Sequence, residues 1–227
     1  MSRLYLPDSE QAFARHVLFA AELIDPVTLS LVSRSVKVAA PPLQRAPLLG
    51  FGGRFVWLRE GDVWPDRVVV DPAGLPYDRD ETAAIPRPPD PGSAPDADLL
   101  ARVILRPTRD YPFPEGVAVV YGRIDESAAG PPVTDAQVWL QWYDSDLTGW
   151  NDSAEPVFTR PDRNGEFAAF LRFAPAARPR IDPAGLMPVR LRVRRPGHAA
   201  RTGPELLVPQ ARRFGDSQTV VWSDLGP

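Results

Sequence analysis

Apolar and polar positions alternate in short runs along most of the chain, and proline, glycine or aspartate separates the runs. In residues 13–25, FARHVLFAAELID, Val17, Phe19, Ala21 and Leu23 alternate with His16, Leu18, Ala20 and Glu22, the period of a strand. The same segment also offers a helical set, Phe13, Val17, Ala20 and Ile24, so periodicity alone leaves both readings open. Asp25-Pro26 then starts a turn. Strand signals follow at VSRSVKVAA (32–40), GRFVWL (53–58) and DRVVVD (66–71), with Pro or Gly between them.

The second half repeats this order. VAVVYGRID (117–125) corresponds to residues 13–25, both ending in Ile-Asp, and GEFAAFLRF (165–173) matches GRFVWL through a shared Gly-x-Phe. Between them VTDAQVWLQWY (133–143) sets Val138, Leu140 and Trp142 on one face and Gln137, Trp139 and Gln141 on the other. PVRLRVRR (188–195) matches DRVVVD, with Val189, Leu191 and Val193 inward and Arg190, Arg192 and Arg194 outward. LLVP and TVVWSDL supply two further short strands. Two copies of one strand order argue for a duplicated module, and the match resolves the first segment in favour of a strand.

Residues 85–98, IPRPPDPGSAPDAD, hold little apolar surface and several prolines, the composition of an extended spacer. The expected organisation is therefore all-β. It comprises an N-terminal β-sandwich over 1–83, a Pro-rich linker over 84–98 and a C-terminal β-sandwich over 99–227.

Composition sharpens this picture. Of 227 residues, 28 are proline, which is confined to strand edges, turns and linkers and leaves little room for long helices. At 44% hydrophobic the chain can build real cores. A net charge of −3 forecasts no nucleic-acid footprint, and no apolar stretch reaches the length of a membrane helix. Without cysteine, disulfides are excluded and a zinc site would need His16, His198 and carboxylates alone. The opening MSRLYLPDSEQAF lacks the basic and apolar regions of a secretory signal, so the expectation is cytoplasmic synthesis. Lys37 is the only lysine; with abundant Ala and Pro this bias fits a GC-rich bacterial genome or its viruses.

The second half carries Gly122-Arg-Ile, then Gly130-Pro-Pro-Val, Ala136-Gln-Val-Trp-Leu and Asp162-Arg-Asn-Gly165-Glu-Phe167. In that order these elements resemble the carboxypeptidase-regulatory-like (transthyretin-like) domain, a small Greek-key sandwich. The first half keeps Gly53-Arg-Phe55 but not the acidic residue three positions before the glycine. The resemblance implies tandem Ig-like or transthyretin-like antiparallel sandwiches with an accessory or adhesion role and no catalytic activity. Within the Asp162 turn, Asn164-Gly165 tolerates positive φ and Asp162 can accept backbone N–H bonds two residues on, which closes a hairpin.

Candidate chemistry is sparse. In DSDLTGWNDSAE (144–155), Asp144, Asp146, Thr148, Asp152 and Glu155 fall at positions one, three, five, nine and twelve, with Gly149 at six, the spacing of a calcium loop. Against it, Asn151 stands where an apolar residue belongs and neither flank reads as a helix; the competing reading is a solvated polar loop. Neither histidine has a carboxylate neighbour in sequence, and no nucleophile elbow, phosphate loop, dinucleotide fingerprint or H-E-x-x-H is present. Trp139 and Trp142 face opposite ways, so one of them, with Trp150, can form an exposed platform for sugars or proteins, unless Trp139 packs under the long loop. Arg190, Arg192 and Arg194 form either a solvated face or a rim for an acidic partner.

These features point to a non-enzymatic structural or docking protein that contacts other subunits of a larger bacterial assembly. By resemblance, the preferred setting is a phage tail or a tail-like contractile injection particle that can be released from the cell. The alternative is a carbohydrate-binding accessory module using the exposed tryptophans; a hydrolase lacks even a candidate nucleophile.

Overall fold

A computed structural model of the chain describes residues 17–59, 63–81, 85, 87, 99–146, 149–152, 158–173, 175–210 and 217–227. The protein is all-β, with 44% of residues in strands. In the first half the strands are β1 (Val17–Ile24), β2 (Lys37–Ala39), β3 (Leu48–Leu49), β4 (Phe55–Leu58), β5 (Val69–Asp71), β6 (Asp80–Glu81) and β7 (Leu100–Ile104). The second half contributes β8 (Val119–Asp125), β9 (Gln137–Asp144), β10 (Gly149–Asp152), β11 (Glu166–Phe170), β12 (Leu186–Arg194), β13 (Arg201–Pro209) and β14 (Gln218–Val221). A short 3-10 turn, Trp222–Asp224, follows β14. Among the described residues no helix is long and apolar enough to cross a membrane.

Among the described residues the strands form four sheets, ordered β3-β4-β1-β7, β2-β5-β6, β11-β8-β14 and β10-β9-β12-β13. The two halves share one wiring. β1 lies between antiparallel β4 and parallel β7, as β8 lies between antiparallel β11 and parallel β14. In the opposite sheets β5 lies between β2 and β6, as β12 lies between β9 and β13. Period-2 alternation turns apolar side chains of each sheet pair toward a common core. Phe19, Leu23, Phe55, Trp57 and Val103 meet Val70 and Ala40 in the first half. In the second, Val120, Ile124, Phe167 and Val220 meet Val138, Leu140, Val189 and Leu191.

Three expectations need correction. The sandwiches were expected to be antiparallel throughout, but β1·β7 and β8·β14 are parallel. In each case the chain crosses over from the opposite sheet and so returns in the direction of the first strand, which a tight hairpin cannot do. Second, the 99–227 boundary fails, because β7 pairs with β1 and its Val103, with Leu105, is buried in the first core. The Pro-rich segment is thus the crossover from β6 to β7 inside the first half. Ile85, assigned to the linker, donates its N–H to the Asp66 carbonyl and accepts from Trp64 Nε1; residues 86 and 88–98 lie outside the described residues.

Third, the two Ile-Asp endings are not equivalent. The Asp25 N–H donates to the Ser30 carbonyl and the Val32 N–H to that of Leu23; the same ladder in the second half joins Glu126 to Pro131 and Val133 to Ile124. Leu23 therefore matches Ile124, both fully buried, and Asp25 matches Glu126. A one-residue slip would turn every side chain to the wrong face, so the core fixes the register.

The connection between the halves is residues 105–118. Tyr111 and Phe113 are buried against Val119, Ala168 and Phe170, with Val27 and Tyr77 beside them. Tyr111 Oη donates to Asp25 Oδ2 at 2.6 Å, and Arg172 Nη1 donates to the Pro26 carbonyl at 3.4 Å. Aromatic burial and hydrogen bonds thus join the two halves directly.

Candidate binding face

The sheet β10-β9-β12-β13 presents its second face away from the core. In β9, Val138, Leu140 and Trp142 point inward, so Gln137, Trp139, Gln141 and Tyr143 point outward. Pairing Arg190 with Gln141, Arg192 with Trp139 and Arg194 with Gln137 sets all three arginines on that outer face. On the other edge, Trp150 pairs with Tyr143 and Asp152 with Gln141.

These side chains hold one another in place. Arg190 Nε donates to Gln141 Oε1 at 2.7 Å, Gln141 Nε2 to Asp152 Oδ1 at 2.9 Å, and Trp139 Nε1 to the same oxygen at 2.7 Å. Arg192 Nη1 donates to Thr202 Oγ1, and Arg194 Nε to Gln137 Oε1 at 3.1 Å. The Arg190 guanidinium lies 4.3 Å from the Trp150 ring centre, that of Arg194 6.0 Å from Trp139, and that of Arg180 5.9 Å from Tyr143. Trp150 meets Tyr143 edge to face at 5.6 Å. Burial, then the neighbouring Arg192 charge, pushes the Arg190 pKa below its usual value, against the opposing pull of Asp152 and Glu205. The Arg192 Nε is buried without a partner.

The structure therefore brings together Trp139, Trp150, Arg190, Arg192 and Arg194, and it excludes Trp142 from the group. Trp142 is 5% exposed on the core side of β9, edge-on to Phe173 at 5.3 Å, so its role as a contact residue is withdrawn. Sequence reasoning missed Tyr143 and Arg180. Tyr143 continues the Gln137-Trp139-Gln141 alternation and was legible; Arg180 arrives from the turn before β12 and carried no signal.

The calcium-loop spacing does not bring Asp144 and Asp152 round one point. Residues 149–152 pair antiparallel with the end of β9, Gly149 with Asp144 and Asp152 with Gln141. Asp144 is buried and accepts the Asp146 N–H at 2.8 Å, whereas Asp152 faces outward and serves Trp139 and Gln141. The strand pleat sends the two carboxylates to opposite sides of the sheet, so they cannot surround one ion. Among the described residues no group of three metal-ligating side chains occurs; Thr148 and Glu155 lie outside them, as does His16. His198 sits on the turn after β12, edge-on to Trp222 at 5.8 Å.

Buried carboxylates elsewhere hold the fold together. Glu22 accepts from Arg54 Nε at 3.1 Å and Arg102 Nε at 2.9 Å, which ties β4 and β7 to β1. Asp25 accepts from the Val27 N–H, Thr28 Oγ1 and Tyr111 Oη. Compared with family models, curated proteins and solved structures, the chain finds no match.

Proposed function

We propose that the chain is a non-enzymatic docking protein of a larger assembly, built as two tandem Ig-like sandwich modules of the carboxypeptidase-regulatory-like kind. It binds an acidic protein partner through the outer face of the β10-β9-β12-β13 sheet. The observation that carries this reading is the preset array of Arg190, Arg192 and Arg194 against Trp139 and Trp150. Arg and Trp dominate the energetics of protein interfaces, and side chains already fixed by neighbours lose little entropy on binding. Three arginines on one face, with Asp152 already used by Trp139 and Gln141, favour negative charge on the partner. A tail-like particle is the setting the resemblance favours.

The carbohydrate-binding alternative asks for tryptophan faces free to stack on sugar rings. Arg190 covers one face of Trp150, and Trp142 is in the core, which favours the protein partner. The test is size-exclusion chromatography of native lysate. The chain should elute in a high-mass species, and Arg190→Glu with Trp150→Ala should release it as a folded small species. Elution of the unaltered chain alone would refute the proposal.

A further inference from the structure

Where β12 ends, a cleft of about 670 Å³ opens beside the outer face, lined among others by Asp135, Gln137, Arg160, Arg194, Arg195 and His198. Its charges are unevenly matched. Arg195 is fully engaged, with Nε on Asp135 Oδ1 at 3.0 Å and Nη1 on Glu126 Oε2 at 2.7 Å. Arg194 has only the neutral Gln137 Oε1 as its side-chain hydrogen-bond partner among the described residues. The Arg160 side chain has no hydrogen bond or ion pair there, and it is exposed.

Backbone pairing places these two unmatched cations on either side of Gln137. Thr159 bridges Val138 on one side of β9, so buried Thr159 points into the core and Arg160 outward. On the other side Arg194 pairs with Gln137. Two strand spacings separate the Arg160 and Arg194 backbones by about 10 Å, within reach of two long side chains converging on one group. Two uncompensated guanidinium groups in a single cleft repel unless an anion lies between them, and the planar fork of each suits a carboxylate or phosphate.

We propose that this cleft is an anion-binding site, in which Arg160 and Arg194 bridge a phosphate or carboxylate group and His198 stands at the rim. The site adjoins the docking face and shares Arg194 with it, but it does not depend on a protein partner.

The test is proton NMR of the full chain titrated with inorganic phosphate and, separately, citrate, at fixed pH, with sodium chloride matching ionic strength. The chain has two histidines, and His198→Gln identifies the His198 ring signals. Those signals should shift saturably with phosphate or citrate and not with chloride; the tighter of the two marks the source as a phosphate or a carboxylate compound. Arg160→Gln and Arg194→Gln should each weaken binding at least tenfold. Because the Arg160 side chain loses no hydrogen bond or ion pair among the described residues, Arg160→Gln should melt like the unaltered chain in the absence of anion. Shifts that follow ionic strength alone, or that survive both substitutions unchanged, would overturn the proposal.

Discussion

Gly122 lies within β8 opposite Phe167, and the ring occupies the space that a side chain would need. A Cβ built there would stand 2.5 Å from Phe167 Cζ and 2.7 Å from the Gln218 carbonyl oxygen. Backbone on one side and a fully buried ring on the other leave nowhere to yield. Gly122→Ala should therefore behave as an overpacked core substitution, costing about 1–3 kcal/mol, and lower Tm by several degrees in a thermal melt. Gly203→Ala is the comparison, since its Cβ would meet Leu191 Cβ at an ordinary 3.5 Å; its Tm should stay close to that of the unaltered chain. Gly165 is constrained differently. It has φ +78, like Gly53 with φ +79, and both turn the chain into the strand that pairs with the first strand of their half. The Gly-x-Phe match in the sequence thus reflects a shared backbone requirement.

At the scale of elements, alternation made β1, β4, β5, β8, β9, β11 and β12 legible because each has one face in a core. Matching the strand order of the halves correctly paired Gly53-x-Phe with Gly165-x-Phe and the 66–71 segment with 188–195. Two kinds of information were not in the pattern. The sequence analysis places no strand at Leu100–Ile104, and nothing local says that its partner is β1, many residues earlier; a proline-rich crossover and a proline-rich linker have the same composition. Side-chain spacing also did not foresee that Asp144 and Asp152 stand on paired strands, where alternation sends them to opposite faces of the sheet. The outer face was half legible: alternation aligned Arg190, Arg192 and Arg194, while only pairing placed Trp150 and Arg160 near them. Charge was not inherited with the wiring. Glu22 in β1 sits between Arg54 and Arg102, whereas at the matching place in β8 Arg123 carries the opposite charge and pairs with Asp125 of its own strand.

For the whole molecule, the joint between the halves is the feature that sets their relation. Tyr111 bonds buried Asp25 and lies 5.5 Å from the Tyr77 ring. Burial, and then the Asp25 charge, pushes the Tyr77 pKa up to about 12; burial and the Asp25 hydrogen bond raise that of Tyr111 as well. Unfolded tyrosine ionises near pH 10, so below that pH both states are neutral and the joint is fully stable. Above it the unfolded state loses protons that the folded state keeps, and stability falls with rising pH. Tm should drop between pH 10 and 12, and in Tyr77→Phe that drop, taken from the variant's own melt at pH 8, should be smaller. An equal alkaline drop in the variant would show that the joint does not titrate in this range. The joint also gives the outer face of the second half a bearing on the first, which the proposed docking role uses.

The central claim, that this outer face is the docking surface, is tested most directly by site-specific photo-crosslinking in the native host. A photoreactive residue replaces exposed Glu205, which pairs with Arg190 on the face, and in a second version replaces exposed Arg34 in the first half. The expected result is a discrete protein adduct from position 205, absent from position 34 and lost on Arg190→Glu. No adduct at 205, or the same adducts from both positions, would contradict it.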